Sequence, residues 1–436
     1  MMQVPLLPAR INHRRDAASA VIDVTFLNLE RLDDAGSVVL SKLLHLPHQR
    51  VVAYVYEWRD GQQILHLQCE PYRDYGNCPR CGKCSLREHE SKDSCVRDCA
   101  MADTVVFVHF RQRRFRCPYC GIPFSEPLTW LEKGKRHTRR FAHEVYQRCC
   151  QTAHTQVAAQ MWLDESTVRS IFKRLGQHKV NHLPSHGAIT HLGIDEISLR
   201  KGRKKFALVL SDLKRRRILA ILPNRLQDTL EEWLLALPIS AQQAIIVVSI
   251  DMWQGYANAA RQILSHATLV VDRFHVMQQL NGRLQQARRR FRAKADQATQ
   301  AALKGCHWLF VKRRIDLTPE ERTRLQAALD AAPELRRFYF LKERFWLIFE
   351  RARTPAQATR FLHAWLYDAD AFDNRYLNKF TSTLRNWWHH ILAYFDERVT
   401  NGFVEGINRA IRGIMRRAYG YHSFDNFRRA VLVVHG

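Results

Sequence analysis

Residues 191–196 read H-L-G-I-D-E and residues 244–253 read A-I-I-V-V-S-I-D-M-W, so each apolar run leads to an aspartate. Alternating or continuous apolar runs of this length are typical of β-strands. The sequence therefore predicts that Asp195 ends one strand and that Asp251 ends another. Two carboxylates at neighbouring strand ends are suited to holding a pair of divalent metal ions.

The segments around these two aspartates predict the element order β-β-β-α-β-α-β. The further predicted strands are Lys205–Asp212, Arg217–Leu222 and Ala267–Asp272. One predicted helix is centred on Glu231–Leu235, and the other runs from Gly255 to Leu264. A strand-end aspartate taken alone is more often a cap or a turn residue. The order of the elements, however, matches a ribonuclease-H-like α/β core, in which a third acidic residue lies on a helix after the fifth strand.

Glu405, in the segment N-G-F-V-E-G-I-N-R, is the candidate for this third acidic residue. On a helix it shares one face with a set of polar and basic side chains, namely Asn408, Arg409, Arg412 and Arg416. An acid in a basic helix can also be an ordinary intrahelical ion-pair partner. Asp396 and Glu397 compete for the same role, so the residues alone leave these alternatives open.

Asp272 and His275 lie in the segment V-D-R-F-H-V (271–276), where the fifth predicted strand gives way to a helix. Their spacing would let them hold an active-site loop or contact DNA. The alternative is a helix-capping aspartate followed by a packed histidine. We treat both residues as candidates for a supporting role.

The charge balance indicates a polyanionic partner. Lys and Arg outnumber Asp and Glu by 68 to 42, which gives the 436-residue chain a net charge of +26. Such an excess repels itself unless a partner such as nucleic acid compensates it. No uncharged apolar run reaches the roughly 20 residues that a membrane-spanning helix needs. We therefore expect a cytoplasmic protein that binds nucleic acid and no membrane.

Most of the eleven cysteines lie between residues 69 and 120. Two C-x-x-C pairs, Cys78 with Cys81 and Cys117 with Cys120, are separated by about 35 residues, a spacing typical of a structural zinc site with four thiolates. In a reducing cytosol such clustering favours metal binding over disulfides. Unbound thiols are the alternative, and His89 could replace one ligand.

Residues 156–175, which read Q-V-A-A-Q-M-W-L-D-E-S-T-V-R-S-I-F-K-R-L, predict a helix-turn-helix. Asp164 or Ser166 can cap the second helix. That helix presents hydrogen-bond donors suited to phosphates and base edges, which are Thr167, Arg169, Ser170, Lys173 and Arg174. An ordinary pair of helices without a DNA-binding role is the alternative.

These patterns together predict a multidomain α+β protein. Its segments are an extension of uncertain order at 1–40, a β-rich zinc-ribbon domain at 41–135, a helix-turn-helix domain at 136–180, the first part of a ribonuclease-H-like core at 186–280, an all-helical insertion at 281–395, and the last helices of the core at 396–436. The insertion would separate Glu405 from the two aspartates along the chain.

From about Leu40 to its end, the chain resembles the DDE transposases of bacterial insertion sequences, in the group called the ISL-three family. The segments that carry the resemblance are C-P-R-C-G, C-P-Y-C-G, G-I-D-E, S-I-D-M-W, D-R-F-H-V, E-G-I-N-R and R-A-Y-G-Y-H-S-F-D-N-F-R. The resemblance implies a catalytic triad of Asp195, Asp251 and Glu405. The first forty residues fall outside it.

The resemblance also implies a function, which is to bind the terminal inverted repeats of an insertion sequence and to cut and transfer DNA strands. It implies Mg²⁺ or Mn²⁺ at the triad and structural Zn²⁺ at the four cysteines. Along the scissile strand would then lie Arg412, Arg416 and Arg417. The expected partners are double-stranded DNA, as element end and target on the bacterial nucleoid, and further copies of the chain in a dimer or larger assembly. The alternatives are a non-catalytic DNA-binding regulator, and a ribonuclease or resolvase.

Overall fold

The computed structural model describes residues 29–181, 189–200, 205–399, 402–418, 421 and 423–436, without the side chains of Arg200, Lys205 and Glu405. Residues 1–28 of the predicted extension lie outside the described residues. The chain divides into two compact units, Met1–Lys179 and Val180–Gly436. The boundary falls near the end of the predicted helix-turn-helix segment.

A six-stranded sheet forms the centre of the first unit. The strands of this unit are β1 (Glu30–Arg31), β2 (Gln49–Arg59), β3 (Gln62–Pro71), β4 (Gly76–Asn77), β5 (Cys84–Ser85), β6 (Glu88–Met101), β7 (Thr104–Arg116) and β8 (Pro123–Ser125). In the large sheet they follow the order β1-β2-β3-β7-β6, with β8 paired to β7, while β4 and β5 form a separate ribbon. All its pairs are antiparallel except β3 with β7.

Strands β2 and β3 form a hairpin that turns at Asp60 and Gly61. Asp60 and Gly61 have φ angles of 51° and 78°, as a two-residue turn between twisted strands requires. The sheet buries Val51, Leu67 and Val108 in one apolar cluster. Strand β7 leads directly to the second C-x-x-C pair, which begins at Cys117.

Four helices complete the described part of the first unit: α1 (Asp34–Leu44), α2 (Arg139–Gln151), α3 (His154–Gln160) and α4 (Glu165–Asn181). Helix α1 begins inside the segment predicted as an extension. Helices α3 and α4 confirm the two helices of the predicted helix-turn-helix, and Val157 of α3 and Val168 of α4 are fully buried. Between them the chain turns at Trp162, whose φ is 54°.

The second unit contains a five-stranded mixed sheet. Its strands are β9 (His191–Arg200), β10 (Lys205–Asp212), β11 (Arg217–Leu222), β12 (Val247–Ile250) and β13 (Thr268–Val271), in the order β11-β10-β9-β12-β13. Strands β9, β10 and β11 pair antiparallel, whereas β12 is parallel to both β9 and β13. All five strands predicted from the sequence are thus present.

Asp195 lies in the middle of β9, so the prediction that it ends a strand was wrong. Strand β9 continues to Arg200 because it forms a hairpin with β10 along its whole length. Strand β12 pairs with β9 only as far as Ser249 opposite Gly193. Continuing that register by two residues brings Asp251, directly after β12, level with Asp195, so the two aspartates still meet at one edge of the parallel pair.

The rest of the second unit is helical. The helices are α5 (Gln227–Leu235), α6 (Ile239–Ala244), α7 (Gln254–Ile263), α8 (Arg273–Lys294), α9 (Gln297–Ala302), α10 (His307–Val311), α11 (Pro319–Asp330), α12 (Pro333–Arg351), α13 (Pro355–Asp370), α14 (Arg375–Asn386), α15 (Trp388–Glu397), α16 (Gly402–Arg417) and α17 (Phe424–His435). The predicted boundaries at 280 and 395 fall inside α8 and α15. None of the described helices is both long and apolar enough to cross a membrane.

One apolar core connects the sheet with the helices that follow it. Ile194 of β9, Val248 of β12 and Leu280 of α8 belong to the same buried cluster as Phe345 of α12 and Trp365 of α13. The indole N–H of Trp365 donates to a backbone carbonyl at 2.7 Å, so even this buried polar group is satisfied. The helical stretch therefore supports the sheet on which the two aspartates lie.

Candidate functional site

Asp195 is a buried carboxylate held from two directions. Its side chain accepts a hydrogen bond from the backbone N–H of Glu196 at 2.7 Å through Oδ1 and another from Asn408 Nδ2 at 2.7 Å through Oδ2. The residue is only 6% exposed. Burial raises the pKa of Asp195, while nearby His275 acts against that rise. A cation bound beside this carboxylate would favour its ionised form.

Asp251 and Asp195 face a common histidine. His275 Nε2 lies 3.7 Å from Asp195 Oδ1, and His275 Nδ1 lies 3.6 Å from Asp251 Oδ1. Asp251 Oδ1 also accepts from the backbone N–H of Met252 at 2.6 Å. The two aspartates predicted to cooperate are therefore separated by the width of one imidazole ring.

Asp272 positions this histidine through the start of α8. Its side chain accepts from the backbone N–H of Phe274 at 3.2 Å, which makes it the N-cap of the helix. His275 follows in the first turn, and only about an eighth of its side chain is exposed. The capping alternative holds for Asp272, whereas His275 contacts both aspartates.

Helix α16 brings Asn408 to Asp195 from more than 200 residues further along the chain. Asn408 is 6% exposed, and its Oδ1 has no hydrogen-bond partner among the described residues. Glu405 precedes Asn408 by three residues on α16, but its side chain lies outside the described residues. Its predicted role as the third carboxylate stays a prediction. Arg412 and Arg416, further along α16, are exposed.

A polar group around Glu196, the residue after Asp195, was missed by the sequence reasoning. Glu196 forms an ion pair with Arg225 at 3.2 Å and accepts a hydrogen bond from the Tyr256 hydroxyl at 3.5 Å. Burial, and next the charge of Glu196, raise the pKa of Tyr256. Side chains alternate between the faces of a strand, so Glu196 could have been assigned to the face opposite Asp195, but its partners could not.

The four predicted zinc ligands form one cluster. The sulfurs of Cys78, Cys81, Cys117 and Cys120 lie within 4.8 Å of one another. Cys78 Sγ lies 3.6 Å from Cys120 Sγ, and Cys81 Sγ lies 3.5 Å from Cys117 Sγ. A tetrahedral zinc ion with Zn–S bonds of about 2.3 Å keeps its sulfurs about 3.8 Å apart. The cluster is therefore compatible with structural zinc.

Both C-x-x-C turns have the same local geometry. Gly82 and Gly121 have φ angles of 71° and 72°, which only glycine adopts without strain. Their N–H groups donate to the carbonyls of Cys78 and Cys117 at 2.8 and 3.0 Å. Burial opposes ionisation of Cys117, but backbone N–H groups that donate to its sulfur hold the pKa of Cys117 at about 6. A thiolate at neutral pH is the form that binds a metal.

The predicted DNA-binding residues of α4 differ in exposure and in their ion-pair partners. Ser170, Lys173 and Arg169 are exposed, and Arg169 pairs with Glu165 at 2.5 Å on the same helix. Thr167 is half-buried. Arg174 instead forms an ion pair with Glu132 at 2.5 Å, and its side chain is 28% exposed. Arg174 therefore contributes to holding α4 in its unit and is a weaker candidate for contacting DNA.

Comparisons with known families match two segments of the chain. Residues 192–431, more than half of the chain, match the DDE model of the ISL3 family, which is described as a transposase. Residues 126–176 match the model described as the helix-turn-helix domain of transposase family ISL3. The second match covers α2, α3 and most of α4, and the first begins within β9 and ends within α17.

Individual relatives agree with these matches over most of their length. The chain is 31% identical over 382 residues, 85% of this chain and 92% of the relative, to the transposase for insertion sequence element IS1001 of Bordetella parapertussis. It is 24% identical over 378 residues, 79% of this chain and 82% of the relative, to the transposase for insertion sequence element IS1557 of two strains of Mycobacterium tuberculosis.

Proposed function

This chain belongs to the ISL3 family of DDE transposases, and on that premise we propose that it binds the terminal inverted repeats of an insertion sequence and catalyses metal-dependent strand cleavage and strand transfer. The observation that carries this proposal is the convergence of Asp195 and Asp251 on His275. Asp195, Asp251 and Glu405 are the proposed catalytic triad.

The proposed scaffold is a ribonuclease-H-like core. The order β11-β10-β9-β12-β13 supports it, with three antiparallel strands followed by two parallel ones. Helices α8 to α15 lie in sequence between β13 and α16, which supports the proposal of a helical insertion before the last helices of the core. Asn408 of α16 donates a hydrogen bond to Asp195, so the chain contacts the sheet again after the helices of the proposed insertion.

The residues at the aspartate pair fit Mg²⁺ or Mn²⁺. Their free ligand atoms are carboxylate and amide oxygens, which such hard cations prefer. The Asn408 Oδ1 is a buried acceptor with no partner among the described residues. Asp195, Asp251 and Glu405 would hold the ions. Two such ions, when bound, activate the attacking hydroxyl and stabilise the leaving oxygen.

The protein's own contribution is to fix the carboxylates before the substrate arrives. Glu196 N–H and Asn408 Nδ2 hold both oxygens of Asp195, and Met252 N–H holds one oxygen of Asp251. His275 keeps the two carboxylates apart at a fixed spacing. Groups that do not have to reorganise during the reaction stabilise its transition state most effectively.

The proposed reaction has two phosphoryl-transfer steps. In the first, water attacks the scissile phosphorus, the P–O3′ bond breaks and the element end is left with a free 3′-hydroxyl. In the second, that hydroxyl attacks a phosphodiester of the target and displaces its 3′-oxygen. Each step exchanges one P–O bond for another, so neither needs an oxidant or a reductant.

Recognition of the element ends is assigned to the first unit. The exposed Arg169, Ser170 and Lys173 of α4 offer donors to phosphates and base edges. The four-cysteine cluster would hold Zn²⁺ and stiffen a ribbon that contacts the same DNA. Arg412 and Arg416 of α16 are proposed to lie along the scissile strand, and a net charge of +26 favours DNA throughout.

Transposition joins two element ends, so we further propose that the chain acts as a dimer or larger assembly on DNA. A symmetric pair of chains would present one active site to each end.

Cleavage of end-labelled DNA tests the proposed function. The full chain should nick fragments that carry the terminal repeats in Mg²⁺ and leave them intact in EDTA. An internal fragment of the element, of equal length, is the control and should stay uncut. Metal-independent nicking, or equal nicking of the internal fragment, would refute the proposal.

A further inference from the structure

Trp253 lies two residues after Asp251, and 48% of it is exposed. A Cβ placed on Gly255 would lie only 2.9 Å from the indole Nε1, so the edge of the ring packs directly against the Gly255 backbone. The peptide N–H of Trp253 donates to the Asp251 carbonyl at 2.7 Å. The backbone that carries the ring is thus tied to the aspartate.

Arg225 covers the ring of Trp253 from one side. Its guanidinium carbon lies 5.3 Å from the Trp253 ring centroid and 4.3 Å from that of Phe206. The guanidinium is fixed in turn by Glu196 at 3.2 Å. Arg225 therefore makes cation–π contacts with both Phe206 and Trp253.

The surroundings of Trp253 differ from those of an isolated surface tryptophan. Arg225, itself paired with Glu196, lies over the ring, and Gly255 packs at the edge of the ring. Nearly half of Trp253 is still exposed, and its backbone bonds to that of Asp251. A partly exposed aromatic ring with a cation over it is a surface on which a nucleobase can stack.

We propose that Trp253 is a stacking platform for one unpaired base of the strand being cut, next to the scissile phosphate. The inference rests on the proposed function, because that function brings DNA to the aspartate pair. The platform holds the base out of the duplex and so fixes the position of the neighbouring phosphodiester. A stacked base also offsets part of the free energy that unpairing costs.

The test is a double-mutant cycle between the ring and the base. The dissociation constant for terminal-repeat duplexes is measured in EDTA, where cleavage does not intervene. The cycle compares the wild-type chain with Trp253→Ala, on intact DNA and on duplexes with one abasic nucleotide at each position around the cleavage point. Trp253→Leu repeats the cycle with bulk retained against Gly255, and Trp308→Ala, 63% exposed on α10, is the control.

Trp253→Ala and Trp253→Leu should weaken binding of intact DNA by about 5-fold to 100-fold, the range for loss of one base–aromatic stack. At one abasic position, next to the cleavage point, the same variants should bind as the wild type does. Trp308→Ala should bind intact DNA normally. If loss of the Trp253 ring weakens binding of intact DNA but not of DNA that lacks one particular base, that base is the one that stacks on the ring.

Additive effects of the Trp253 variants and the abasic nucleotides at every position would overturn the platform. In that event, metal-dependent cleavage of the ends by the wild type would leave the proposed function intact. A wild-type chain that neither binds nor cuts the ends would refute the proposed function itself. The two failures are therefore distinguishable.

Discussion

The four-cysteine cluster and the aspartate pair differ in how far apart along the chain their parts lie. The cluster is built from two tight turns, each with its own glycine and its own backbone hydrogen bonds. Asp195, Asp251 and Asn408 come instead from β9, the end of β12 and α16, and the Asp195–Asn408 bond spans 213 residues.

This difference decides how each site tolerates change. In the cluster, each C-x-x-C turn positions two sulfurs through short-range contacts. Only the approach of one turn to the other depends on the rest of the fold. At the aspartate pair every contact depends on strand register and on the return of α16. We expect loss of one cysteine to affect mainly the structure around the cluster, and loss of one residue at the aspartate pair to lower the rate of catalysis.

The most severe loss is expected from Asp251→Asn. The amide keeps the shape of the side chain but removes the charge that would hold a metal ion, so cleavage in Mg²⁺ should fall by at least about a thousand-fold. Binding of the element ends, measured by gel shift, should stay normal. Asp228→Asn makes the same charge change at an exposed position of α5 and should cut normally. Full cleavage by Asp251→Asn would remove Asp251 from the triad.

Replacing Cys117 and Cys120 together by Ser should abolish zinc binding. Metal analysis of the wild-type chain should give about one zinc per chain, and the double variant should contain none. Cys84→Ser is the matched control, since Cys84 is exposed and lies outside the cluster. Zinc retained by the double variant would refute the ribbon assignment. Because the cluster is local, single-turnover cleavage of DNA already bound should fall less than for Asp251→Asn.

Asn408→Ala should lower cleavage by about 10-fold to 100-fold, as is typical when a residue that orients a metal ligand is lost. It should also raise the Mg²⁺ concentration at half-maximal rate, because one oxygen of Asp195 loses its donor. Asn426→Ala, exposed on α17, is the control. A rate and a metal requirement equal to those of the wild type would mean that the long-range contact has no part in catalysis.

The smallest effect is expected on α4. Lys173→Ala should weaken binding of the ends several-fold and reduce the slope of log affinity against log salt by about one, because one phosphate contact is lost. Arg174→Ala should change the slope less, since Arg174 pairs with Glu132, and should lower the unfolding temperature. A larger change in the salt slope for Arg174→Ala than for Lys173→Ala would assign Arg174 to the DNA-binding face.

The sequence predicted those elements whose structure depends on residues close together along the chain. The two C-x-x-C pairs follow from ligand spacing, and the helices α3 and α4 follow from the apolar period. The five strands of the second sheet were predicted as well, because each is an apolar run bounded by polar residues. The identity of Asp195 and Asp251 as neighbours followed from strand order.

The remaining features depend on contacts that no local pattern contains. Strand β9 passes Asp195 because β10 pairs with its far half. Helix α8 continues past residue 280, through Gly282, to Lys294, and its second half packs Leu284 and Ala287 into the buried core. The bond from Asn408 to Asp195 and the place of Arg225 between Phe206 and Trp253 arise only when distant segments pack together.

Metal-directed cleavage of the protein backbone tests most directly whether Asp195, Asp251 and Glu405 share one metal site. The full chain is loaded with Fe²⁺ in place of Mg²⁺ and treated with ascorbate and peroxide, so that the backbone is cut beside the bound ion. We predict cuts near Asp195, near Asp251 and within α16 at Glu405, all suppressed by excess Mg²⁺ and all weakened by Asp251→Asn. Cuts at the two aspartates with none in α16 would contradict the triad.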